Sequence, residues 1–148
     1  MNAMRTTLAL FLILSSLSAF AQENDLEFAI TAGAMKRLRV PIEITVPADE
    51  LRFVDDRGQW VAKVSVRAVS GGESRVIAAE HRVFVPRGRT PEGASRMRFD
   101  VDVSRDAQSI DVIVTDLGSG RAGKRTIVID GGTARVAEIA SDNVAWSE

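Results

Sequence analysis

Apolar and polar residues alternate with a period of two along most of this chain. In "RLRVPIEITV" the positions Leu38, Val40, Ile42, Ile44 and Val46 fall on one face, while Arg39, Glu43 and Thr45 fall on the other. Successive side chains of a β-strand point to opposite faces, so this pattern predicts a strand with one buried side. Pro41 has no N–H to give a ladder, so it belongs where that donor would face solvent or a break in pairing. "QWVAKVSVRAV" repeats the pattern, with Trp60, Ala62, Val64, Val66 and Ala68 inward and Lys63, Ser65 and Arg67 outward. "RMRFDVDV" turns Met97, Phe99, Val101 and Val103 inward, and "SIDVIVTD" does so with Ile110, Val112 and Val114. "LEFAIT", "RVIAAEHRVFV" and "KRTIVID" complete a set of about seven strands.

Turn chemistry separates the strands: Asp55-Asp56-Arg57-Gly58, Gly71-Gly72, Pro86 to Gly93, and Gly118 to Gly123. Short strands with turns between them and no long helical period predict an all-β, antiparallel sandwich over residues 22–130. Beyond Asp130 the alternation stops. Residues 131–148 are expected as a tail, with Val136, Ile139 and Val144 able to form one short amphipathic helix and a frayed end the alternative.

The first residues carry a different pattern. Arg5 precedes the apolar run Leu8 to Leu14, and Ala19-Phe20-Ala21 gives small residues at the two recognised positions. This is the layout of a secretory signal peptide, residues 1–21, cut between Ala21 and Gln22. The run is shorter than the roughly 20 residues a spanning helix needs, so no membrane span is expected after cleavage. The expected location is the periplasm or the cell exterior. No Cys occurs, so an exported domain of this kind holds together by packing without disulfides.

Charge narrows the partners. The chain has 19 basic and 20 acidic residues, and the leader takes Arg5 with it, leaving 18 basic residues. No overall field draws in nucleic acid. Arg82, Arg87, Arg89, Arg96 and Arg98 form a local excess in which the only acid between Arg82 and Arg98 is Glu92, and they are the candidate contact surface for a protein partner. The alternative is an ordinary solvated loop. The chain lacks Tyr, and these arginines lack the run of interleaved aromatics that a nucleic-acid platform would require.

Catalytic and cofactor motifs are incomplete. Gly118 to Lys124 matches the first seven positions of a phosphate-binding loop, but Arg125 stands where a Ser or Thr must hold magnesium. Strand-like residues follow the lysine where a helix is required. A hairpin is therefore expected, and nucleotide or metal binding at this loop is only a remote alternative. Asp116 opens no D-x-S-x-S metal site, since Gly118 and Gly120 replace both serines. His81 is the only histidine, flanked by Glu80 and Arg82, and no catalytic triad assembles around it. Asp49, Glu50, Asp55 and Asp56 cluster at one turn; calcium and plain solvation are the two readings. No catalytic, cofactor-binding or metal residue is assigned.

The order of "LRVPIEITVPADELRFVDDRGQWVAKVSVRAVS" and "SRMRFDVDVSRDAQSIDVIVTDLGSGRAGKRTIVI", about Arg37 to Ile129, resembles the C-terminal β-sandwich of bacterial von Willebrand factor A-related secreted proteins. The resemblance implies an immunoglobulin-like or fibronectin-III-like sandwich that is exported and works by contact. Those proteins carry a metal-binding A domain before the sandwich. This chain has no length for one, so no metal residues carry over. The expected function is a non-catalytic interaction module for an envelope or secreted protein, with a structural spacer or subunit as the alternative.

Overall fold

The computed structural model of the chain describes residues 25–137, so the expected leader and the last 11 residues of the expected tail lie outside the described residues. Among the described residues nine antiparallel strands run in chain order: β1 (Ala29–Ala32), β2 (Arg39–Pro47), β3 (Val54–Asp56), β4 (Gln59–Ser70), β5 (Glu73–Phe84), β6 (Ala94–Asp102), β7 (Ser109–Asp116), β8 (Ala122–Asp130) and β9 (Thr133–Val136). A 3-10 turn, Ala48–Glu50, follows β2. Among the described residues no helix is long and apolar enough to cross a membrane.

The strands form two sheets. One has the order β1-β2-β6; the other holds β3, β4, β5, β7, β8 and β9. In the larger sheet β5 lies along one edge of β4, while β3 and then β7 share its other edge. That geometry follows from Val61 pairing with both Val54 and Phe84, and Val66 with both Ala78 and Val114. β8 and β9 extend the sheet beyond β7.

Alternation builds the core. Val40, Ile42, Ile44 and Val46 of β2 and Met97 and Val101 of β6 meet Val64 and Val66 of β4, Val112 and Val114 of β7, and Ile127 of β8 in one buried cluster. The two sheets thus close over a common interior, an arrangement that fits a β-sandwich. Each buried aliphatic side chain contributes about 1.5–3 kcal/mol relative to exposure, which in a chain with no Cys is the main source of stability.

Three inward assignments are corrected. Leu38 is exposed because it is not in the strand. Arg37 and Leu38, both at positive φ, form a two-residue turn closed by reciprocal bonds between Lys36 and Arg39. Trp60 has the core-facing register but sits at the end of β4 beside Asp55 and keeps 37% of its surface. Phe99 is only partly buried, against His81.

The end of the domain also moves. The expected tail begins with Gly131-Gly132, and both glycines adopt positive φ, forming a two-residue hairpin turn of the kind that favours glycine. Thr133–Val136 return as β9 on β8, and Ala134 and Val136 pack against the core.

Candidate functional site

The loop between β7 and β8 is a turn, and its parts have structural work. Asp116 is fully buried, the only polar residue so placed among the described residues. Its Oδ2 accepts from the Ser119 N–H at 3.2 Å, the Ser119 hydroxyl at 2.6 Å and the Arg52 N–H at 3.1 Å. The carboxylate therefore shapes residues 117–121 and ties them to the segment before β3. Its Oδ1 has no hydrogen-bond partner among the described residues. Gly118 lies close under Arg52, where a β-carbon would stand 3.0 Å from the Arg52 Cβ.

Gly123 and Lys124 lie inside β8, not in the turn. Lys124 is exposed and stands opposite Ile113 in the ladder, followed by strand residues to Asp130. No helix follows to present backbone donors to a phosphate. Gly123 faces inward, where the backbone of Leu26 crosses it and leaves no room for a side chain. The Leu26 N–H donates to the Ala122 carbonyl at 3.0 Å, and Leu26 and Phe28 enter the core. Arg125 lies over the Phe28 ring at 4.9 Å.

The acidic turn is likewise engaged. Glu50 accepts from Arg121 at 2.9 Å and from the Glu27 N–H at 3.1 Å, and Asp55 accepts from the Gly58 N–H at 2.8 Å. Among the described residues no group of three or more metal-ligating side chains converges. Asp102 pairs with Arg39 across β2 and β6 at 3.0 Å, and Asp111 accepts from Thr126 at 2.6 Å.

The five arginines singled out in the sequence lie along one side of the molecule but on different surfaces. β5 is the edge of the large sheet and β6 the edge of the small one. Their contact is marked by His81 and Phe99, whose rings meet edge to face at 5.4 Å. Arg82 points outward from the large sheet; Arg96 and Arg98 point outward from the small sheet. Arg87 and Arg89 sit on the loop that joins the two strands. Arg98 pairs with Glu43 at 2.8 Å and Arg82 with Glu80 at 3.4 Å. Glu80 also meets Lys63 at 3.2 Å. The Lys63 ammonium holds the Glu80 carboxyl below its ordinary range, with Arg82 adding to the effect.

Beside these arginines lies an apolar surface that the alternation concealed. Phe84, Val61 and Val54 stand side by side across β5, β4 and β3 on the outer face of the large sheet. Phe84 keeps 55% of its surface and Val54 51%. Val61 between them is buried yet belongs to no part of the shared core. A groove of about 170 Å³ adjoins this row; Phe53, Phe84 and Pro91 line it together with the polar Arg89, Glu92 and Ser95. "RVFV" shows the signal in hindsight: Phe84 has the parity of Arg82 and so points outward.

This arrangement offers a partner apolar contact area bordered by guanidinium groups, a combination enriched in protein contact surfaces. Comparison with protein-family models, with curated proteins and with solved structures finds no match for the chain.

Proposed function

We propose that this protein is an exported, non-catalytic interaction module that binds a protein partner of the envelope or the cell exterior through its β5–β6 side. The observation that carries this reading is the Val54–Val61–Phe84 row with Arg82 beside it and Arg89 in the adjoining groove. Exposed aromatic and apolar side chains flanked by arginine suit a protein surface better than a small substrate. Asp116, Gly123, Glu50 and Asp55 already serve the fold, which favours contact over catalysis.

The strand order supports an immunoglobulin-like, fibronectin-III-like sandwich. With β3 and β9 set aside, the first, second and fifth strands form one sheet and the remaining four form the other. The constant-type immunoglobulin sandwich divides its strands in the same way except for the fourth, which there joins the first, second and fifth. The likeness to the sandwich of von Willebrand factor A-related secreted proteins points the same way, as does the leader-like run before Gln22.

The test is capture of a partner by the tagged mature chain from envelope and culture-medium fractions. Arg87→Glu with Arg89→Glu should abolish capture while leaving the unfolding midpoint unchanged. Retained capture would move the contact elsewhere and favour a spacer or subunit role.

A further inference from the structure

We infer that β5 pairs antiparallel with β5 of a second copy of this chain, joining two large sheets edge to edge across a two-fold axis at Val83. Among the described residues β5 has a ladder only with β4, and its outer edge is unpaired. The backbone groups on that edge follow from the neighbouring bonds. The Val85 N–H donates to the Trp60 carbonyl, so Val85, Val83 and His81 carry the bonds to β4. The Leu117 N–H donates to the Lys63 carbonyl, which turns the backbone groups of Lys63 toward β7. Arg82, opposite Lys63 in the ladder, therefore directs its N–H and C=O to the outer edge, and Phe84 does the same.

An open edge is a template for another strand, and proteins usually blunt it with charge, bulges or proline. β6, the edge of the small sheet, is blunted by charge. Its bonds to β2 alternate from Gly93 to Val103, so Arg96, Arg98, Asp100 and Asp102 carry the outward backbone groups. The earlier part of β5 is interrupted by two register shifts, opposite Val64 to Val66 and Val66 to Arg67. From His81 to Phe84 the pairing with β4 is regular, with no Pro or Lys in the stretch. This is the unguarded part of the edge.

The stretch is complementary to itself. Side chains opposite one another must lie on the same face of the joined sheet, so outward Arg82 and Phe84 can oppose only outward residues. Two symmetric registers fit. The one centred on Arg82 sets two guanidinium groups directly opposite each other, which is unfavourable. The one centred on Val83 sets Arg82 of each copy opposite Phe84 of the other, a cation beside an aromatic ring. In that register each Arg82–Phe84 pair exchanges two backbone hydrogen bonds, because these are the residues with outward N–H and C=O groups. Pro86 has no N–H and ends the ladder. The occupant we assign is a second copy of this chain. Edge pairing leaves the outer face open and makes the two Val54–Val61–Phe84 rows neighbours on one surface. It goes beyond the proposed partner contact and does not depend on a partner existing.

Sedimentation equilibrium of the purified mature chain over a rising concentration series should show the mass climbing from one chain toward two. Phe84→Lys sets a cation opposite Arg82 and should abolish the climb. Phe84→Glu sets a carboxylate there and should keep it. Phe84 is exposed, so both variants should unfold at the parent's midpoint in dilute solution. Across the axis the two Val83 residues form a non-hydrogen-bonded pair with Cα atoms about 4.5 Å apart, within disulfide reach. The chain has no Cys, so Val83→Cys should give a disulfide-linked dimer on oxidation. A single-chain mass at every concentration would overturn the inference, and so would a dimer that survives Phe84→Lys. Equal loss in the Lys and Glu variants would also overturn it, since the contact would then be apolar association without this register. Only the purified chain enters these measurements, so their failure leaves the partner-capture test standing.

Discussion

The backbone of Leu26 crosses β8 directly over Gly123, and a β-carbon there would collide with the Leu26 carbonyl oxygen. The glycine that completes a phosphate-loop spelling is thus a packing residue. It lets the segment before β1 lie across the large sheet, bring Leu26 and Phe28 into the core, and continue into the small sheet. Gly123→Ala must push that segment away, and overpacking of this kind costs about 1–3 kcal/mol. Leu26→Ala should cost about 2–5 kcal/mol, as other buried leucines do. Because Gly123→Ala displaces the segment whose core anchor Leu26→Ala removes, the double variant should lose less than their sum in urea unfolding.

Asp116 makes a second prediction about the same loop. Asp116→Ala removes the acceptor that serves Ser119 twice and Arg52 once, at a fully buried position. Hydrogen bonds to a charged group are worth about 1.5–3 kcal/mol each, so the loss should reach several kcal/mol and exceed that of Ser119→Ala. Equal midpoints for the two variants would show that Ser119 alone organises the turn.

The Arg37-Leu38 turn is expected to be a site of easy improvement. Two-residue hairpin turns with both central residues at positive φ favour Asn-Gly, and here they hold a long cation and a branched apolar side chain. Arg37→Asn with Leu38→Gly should raise stability by about 1 kcal/mol or more, since each unfavourable backbone state costs about 1–3 kcal/mol. Thermal unfolding measures the gain directly.

Alternation made the two-sheet interior legible from the sequence. It identified seven strands and most of the core, because a half-buried strand must place every second residue inside. What it could not supply was where each strand runs past the interior. Trp60 keeps the right parity but lies beyond the covered part of β4, so Trp60→Ala should cost less than the about 2–5 kcal/mol of Ile44→Ala in the core. The hairpin at Gly131-Gly132 was signalled by the glycine pair, while β9 itself, only four residues long, has too few positions to show a period. The charge excess from Arg82 to Arg98 was legible within one stretch, but its distribution over both sheets and the loop between them was not. Sequence distance hid Glu43 as the partner of Arg98, since the ladder between β2 and β6 brings those residues together.

Acid should act on the edge strand through Glu80. Its folded-state pKa is lowered by Lys63 and Arg82, so its contribution to stability is present above the unfolded value and is lost as pH falls through the folded value. Glu80→Gln should therefore be less stable than the parent near neutrality, and the two midpoints should converge below the ordinary glutamate range of about 4.3. A gap that stays constant down to low pH would remove Glu80 from the account. Added salt should narrow the gap at neutral pH, because all three side chains are solvent-exposed.

The central claim is a contact surface on the β5–β6 side, and crosslinking in cells tests it most directly. The tagged chain would be crosslinked in place, purified, and its joined peptides identified by mass spectrometry. The account predicts a reproducible protein partner joined within residues 82–98 or beside Phe84. Crosslinks confined to copies of this chain, or a partner joined only near β9, would contradict it.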